Sequence, residues 1–97
     1  MNKDDVQKQI LEATKKQIQL YFDEFLKKSG MTTQEMNFIA EDPKAQEMLV
    51  YQLTKIPVII QMPDGVKIEA SIEARLKFAD EVILEFVQKI NTPSTKH

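Results

Sequence analysis

Val58-Ile59-Ile60-Gln61-Met62-Pro63-Asp64-Gly65-Val66-Lys67-Ile68-Glu69-Ala70 is the stretch whose reading decides the fold. Elsewhere in the chain apolar residues recur at helical spacing, whereas here they alternate. Pro63-Asp64-Gly65 separates the two alternating runs and carries the residue types that favour a reverse turn. If residue 62 faces 66, then 60 faces 68 and 58 faces 70. One face is then Val58, Ile60, Met62, Val66, Ile68 and Ala70, and the other is Ile59, Gln61, Lys67 and Glu69. Register and patterning agree for that pairing, and a slip of one residue would send the side chains of one strand to the wrong face. The stretch is predicted to be a β-hairpin over about residues 58–70. A lone two-stranded ribbon is marginal in water, so its apolar face needs helices over it.

Those helices are written on either side. From Asp4 to Ser29 the apolar residues Leu11, Ile18 and Phe25 recur every seven positions, with Val6, Ile10, Phe22 and Leu26 widening the stripe. Gly30 ends this predicted helix, since glycine best tolerates the left-handed conformation after a helix C-terminus. Acid-to-lysine pairs four apart (Asp4 with Lys8, Glu12 with Lys16, Asp23 with Lys27, Glu24 with Lys28) favour the same helix from its polar side. Thr32 with Glu35 has capping-box spacing and opens a short helix whose apolar side is Met36, Ile39 and Ala40. Asp42-Pro43 restarts a helix with a cap and a first-turn proline. Ala45, Leu49, Leu53 and Ile56 follow, and Pro57 stops it. After the hairpin, Ser71 caps a last helix in which Ile72, Leu76, Ala79, Ile83, Phe86 and Ile90 alternate at four and three. Phe78, Val82, Leu84 and Val87 broaden that stripe enough to predict more than one packing neighbour. The expected fold is mainly α: a compact four-helix domain with one hairpin inserted before the C-terminal helix. Residues 1–91 form the domain and 92–97 a polar, frayed tail.

Ninety-seven residues with 42% hydrophobic and 29% charged side chains are enough for one modest core and too ordered in composition for disorder. The formal charge of −2 lacks the cationic excess of a typical nucleic-acid binder. No apolar run approaches the roughly 20 residues that cross a bilayer, and the N-terminus is charged where a secretory signal would be apolar. A cytoplasmic protein is expected.

Reactive chemistry is hard to assemble from these residues. Cysteine is absent and His97 is the only histidine, which argues against a nucleophilic enzyme and against thiolate or histidine metal sites. The two glycines are far apart, so no phosphate cradle is expected. Adjacent acids such as Asp80-Glu81 diverge on a helix. Glu81 and Glu85 do share a face with no base between them and could receive a cation or a basic partner. The reading is therefore non-enzymatic, with no cofactor, no metal and no membrane.

What is left is surface. The expected function is a protein-binding, adaptor or small regulatory module working through apolar helical and hairpin surface, with a homodimer as one form of it. Ile59 falls on the polar side of the hairpin, while Phe78 and Leu84 project to opposite flanks of the last helix. These three are the expected partner-binding residues. The competing reading is a small DNA-binding protein, because residues 32–56 loosely resemble a helix-turn-helix. Its contact residues would be Lys44, Gln46, Gln52 and Lys55, although Glu41, Asp42 and Glu47 leave little net positive charge there.

Overall fold

The computed structural model describes residues 3–91. The polar tail expected over 92–97, with His97, lies outside the described residues. The elements run α1 (Lys3–Ser29), α2 (Thr33–Glu41), α3 (Pro43–Lys55), β1 (Ile59–Gln61), β2 (Lys67–Glu69) and α4 (Ile72–Asn91). This is the mainly helical domain with a hairpin ahead of its last helix that the sequence predicts.

The boundaries follow from local chemistry. Gly30 takes φ +61° after the last turn of α1, a conformation that a side chain would strain. Thr32 and Glu35 close their capping box reciprocally. The Glu35 backbone N–H donates to Thr32 Oγ1 at 3.1 Å, and the Thr32 N–H donates to Glu35 Oε1 at 2.8 Å. Those bonds hold the Glu35 carboxyl below its ordinary pKa, the backbone bond from Thr32 contributing most. Asp42 alone separates α2 from α3 and serves both. Its N–H donates to the Ile39 carbonyl at 3.2 Å, and its carboxylate accepts from the Lys44 N–H at 3.0 Å. Ser71 Oγ accepts from the Ala74 N–H at 3.1 Å and starts α4.

The hairpin has the expected register: Ile60 pairs with Ile68, flanked by Ile59 with Glu69 and Gln61 with Lys67. Backbone bonds join Val58 to Ala70 and Met62 to Val66 beyond the strands themselves. The Gly65 N–H closes the turn onto the Met62 carbonyl at 2.9 Å, with Gly65 at φ +91°. Val58 and Ala70 are buried, while Ile60, Met62 and Ile68 are half-buried. Val66, expected on the covered face, is exposed instead, because it sits at the hairpin tip beside the turn.

The core joins Ile18 and Phe22 of α1, Leu53 of α3, Val58 and Ala70 of the hairpin, and Phe78, Ala79, Val82 and Ile83 of α4. The last helix packs against each of the other three, which accounts for the breadth of its apolar stripe. Lys15 lies beside Glu81 and Glu85, and Phe22 meets Phe86 edge to face at 5.1 Å, so α1 and α4 run side by side in the same direction. Two expected helix faces are rotated in the structure. In α1 the buried row is Thr14, Ile18 and Phe22, four apart, and Leu11 and Phe25 of the heptad pattern stay partly in solvent. In α4 the buried residues are Arg75, Phe78, Ala79, Val82 and Ile83, while Ile72 and Leu76 face outward. The cause in α4 is its abundance of apolar positions: several faces can be buried, and the arrangement of the neighbours selects one.

Candidate interaction surfaces

Two polar side chains are buried with the core, Thr14 and Arg75. The Thr14 hydroxyl donates to the Ile10 carbonyl one turn back at 2.7 Å, so it enters the core with its proton satisfied. Arg75 is the only arginine among thirteen basic residues, and it is 7% exposed. Its Nη1 donates to the carbonyl of Ile56 at 3.1 Å, which places a cation at the C-terminal end of α3. A guanidinium is more weakly hydrated than an ammonium and is the less costly cation to bury. Nothing in the apolar periodicity marks Arg75. Its singularity, in a helix whose other two bases are lysines, was the available signal.

The acid pair Glu81 and Glu85 is brought together on one face as expected, and the cation comes from the chain itself. Lys15 Nζ lies 3.3 Å from Glu81 Oε1 and 2.8 Å from Glu85 Oε2. The hydrogen bond to Glu85, followed by that to Glu81, raises the Lys15 pKa above its ordinary 10.5. This fork fixes α1 against α4, and its half-exposed geometry limits it to roughly 0.2–1 kcal/mol per pair.

Of the three expected partner-binding residues, two are in solvent and one is not. Ile59 is 58% exposed and Leu84 53%. Phe78 is 7% exposed and belongs to the core with Ile18, Val58 and Val82, so its expected outward position is corrected. The flank of α4 that carries it is the one the rest of the molecule covers, and Lys77 Nζ lies over the ring, 5.7 Å from its centre. Phe38 and Met48, each 64% exposed, also stand outside, and both fall off the apolar sides expected for α2 and α3.

Grooves accompany these residues. Between α3 and α4 a groove of about 390 Å³ has Val50, Leu76, Ile83 and Leu84 as its apolar surface and Glu47 and Asp80 on opposite walls. Between α1 and α3 a second, of about 540 Å³, is bordered by Tyr21, Phe25, Leu49, Ile56 and Pro57. A third, of about 740 Å³, runs along α1 and α4 over Phe22, Leu26, Phe86 and Ile90, with Met36 of α2 at its side.

Of the four expected DNA-contact residues, one is withdrawn into the fold. Gln46 turns inward, its amide donating to the carbonyls of Ile39 and Ala40 at 3.0 and 3.1 Å to finish the end of α2. Gln52 lines the α1–α3 groove, and Lys55 Nζ lies 4.3 Å from the centre of the Tyr51 ring. Lys44 is exposed beside its cap. The single residue between α2 and α3 is also shorter than the three or four of a helix-turn-helix. Among the described residues no helix is long and apolar enough to cross a membrane. Compared with known proteins, the chain matches no family model, no curated protein and no solved structure.

Proposed function

We propose that the chain is a non-enzymatic protein-binding module, an adaptor or small regulator of the cytoplasm, which works by offering apolar helical and hairpin surface to a partner. The observation that carries this reading is the outer flank of α4. Ile72, Leu76 and Leu84 stand at 65%, 50% and 53% exposure on the helix that organises the whole core. Isolated apolar side chains on a surface mean little, but a row of them beside a groove is the form interaction sites take. Ile59, on the outer face of a hairpin with unpaired strand edges, supports the same reading at a second place.

The reading is tested by comparing two masses. The purified chain is sized by light scattering, and the same chain is sized in a gentle extract of its own cells by gel filtration. A partner, or a second copy, gives a mass above that of the single 11.2 kDa chain in the extract. A single-chain mass in both settings contradicts the proposal.

A further inference from the structure

The groove between α3 and α4 differs from the other surfaces in its electrostatics. Its apolar floor of Val50, Leu76, Ile83 and Leu84 is flanked by Glu47 from one helix and Asp80 from the other, and no cation lines it. Lys77, one turn before Asp80, is directed over the Phe78 ring. The amide of Gln46 is committed to the end of α2. Among the described residues neither Glu47 nor Asp80 has an ion pair or a side-chain hydrogen bond. Glu81 and Glu85 receive their cation from Lys15, whereas Asp80 on the same helix is left without one, as is Glu47 on α3.

We infer that this groove docks an amphipathic segment of another protein, with apolar side chains that lie on Leu76 and Leu84 and a lysine or arginine that reaches between Glu47 and Asp80. Leu76, Asp80 and Leu84 are spaced one turn apart. A helical segment with two apolar residues and an intervening cation on one face matches that row, in the manner of a helix laid into a groove. A second copy is the poorer occupant. Pairing the groove with itself across a two-fold axis brings Asp80 and Glu47 of each copy together without a counter-charge, and like charges set against each other cost affinity. The inference rests on the protein-binding reading and adds the face and the chemistry of the partner.

The full chain is expressed in its own cells with the photo-crosslinking residue benzoylphenylalanine at position 84 and, in a separate preparation, at position 59. Adducts are digested and the joined peptides sequenced by mass spectrometry. The expected result is an adduct at 84 whose partner peptide carries a lysine or arginine within a turn of apolar residues. The double variant Glu47→Lys with Asp80→Lys should lower its yield about tenfold, since each reversal replaces an attraction with a repulsion of similar size. The neutral pair Glu47→Gln with Asp80→Asn should lower it less, and thermal melting confirms that both variants fold. Adducts between two copies, a partner peptide without a cation, or a yield indifferent to both double variants would overturn the inference. Adducts at 59 with none at 84 remove this groove and leave the protein-binding reading standing. Adducts at neither position remove both.

Discussion

Lys15 shows what a single side chain contributes here and how that contribution responds to pH. Its ammonium holds Glu85 and Glu81 of another helix, and those bonds raise its pKa in the folded chain above 10.5. A base whose pKa is raised by folding stabilises the fold fully below its unfolded value. That stability is lost as pH rises through the folded value. Lys15→Met should therefore be less stable than the native chain near neutral pH by about 0.2–1 kcal/mol for each pair lost, and the gap should close as pH rises through the folded Lys15 value. Urea unfolding of the two chains across that range measures it. Phe78 and Leu84 make the other residue-scale contrast. Phe78→Ala opens a hole in the core and should cost about 3–5 kcal/mol, while Leu84→Ala should stay within about 0.5 kcal/mol. Equal losses in thermal melting would place Leu84 in the core. Ile59 and Leu84 were legible as outward positions because each interrupts a local pattern. Thr14 and Arg75 were not legible, since polarity ordinarily signals exposure and only the finished structure shows which carbonyl each one reaches.

At the scale of elements, ends and turns were more readable than faces. A cap is a short-range arrangement of a few residues, so Thr32 with Glu35, Asp42 with Pro43, and Ser71 each start the helix they were expected to start. The hairpin register was equally readable, because a turn at Pro63-Asp64-Gly65 pairs Met62 with Val66 and so puts Val58, Ile60, Ile68 and Ala70 on a common side. Helix faces are a different matter. The last helix carries apolar residues around most of its circumference, and 3.6-residue periodicity alone does not choose between the row through Ile72 and Leu76 and the row through Phe78 and Val82. That choice belongs to the neighbours. The cap at Thr32 provides the test for this scale. Thr32→Ala should destabilise the protein by about 0.5–2 kcal/mol, measured by denaturant unfolding. Because the Thr32 hydroxyl also donates to Glu35 Oε1 and adds to the backbone bond in lowering the Glu35 pKa, part of the native chain's advantage should decline as pH falls through the folded Glu35 value. A variant as stable as the native chain at neutral pH would show that the box contributes nothing.

Across the whole molecule, the parallel course of α1 and α4 is a tertiary fact with no local signature. Everything from Gly30 to Ser71 is the crossover that permits it. It also explains why the acid pair on α4 finds its cation sixty-six residues and more earlier in the chain, which no spacing rule within one helix could reveal. The same packing leaves the α3–α4 flank and the outer hairpin face uncovered, and these surfaces carry the proposed function. Carbene footprinting of the full chain, purified and in an extract of its own cells, reads that coverage directly. Leu76, Leu84 and Ile59 should label strongly in the purified chain, and Leu76 and Leu84 at least should be shielded in the extract. Equal labelling of all three in both settings would contradict the account.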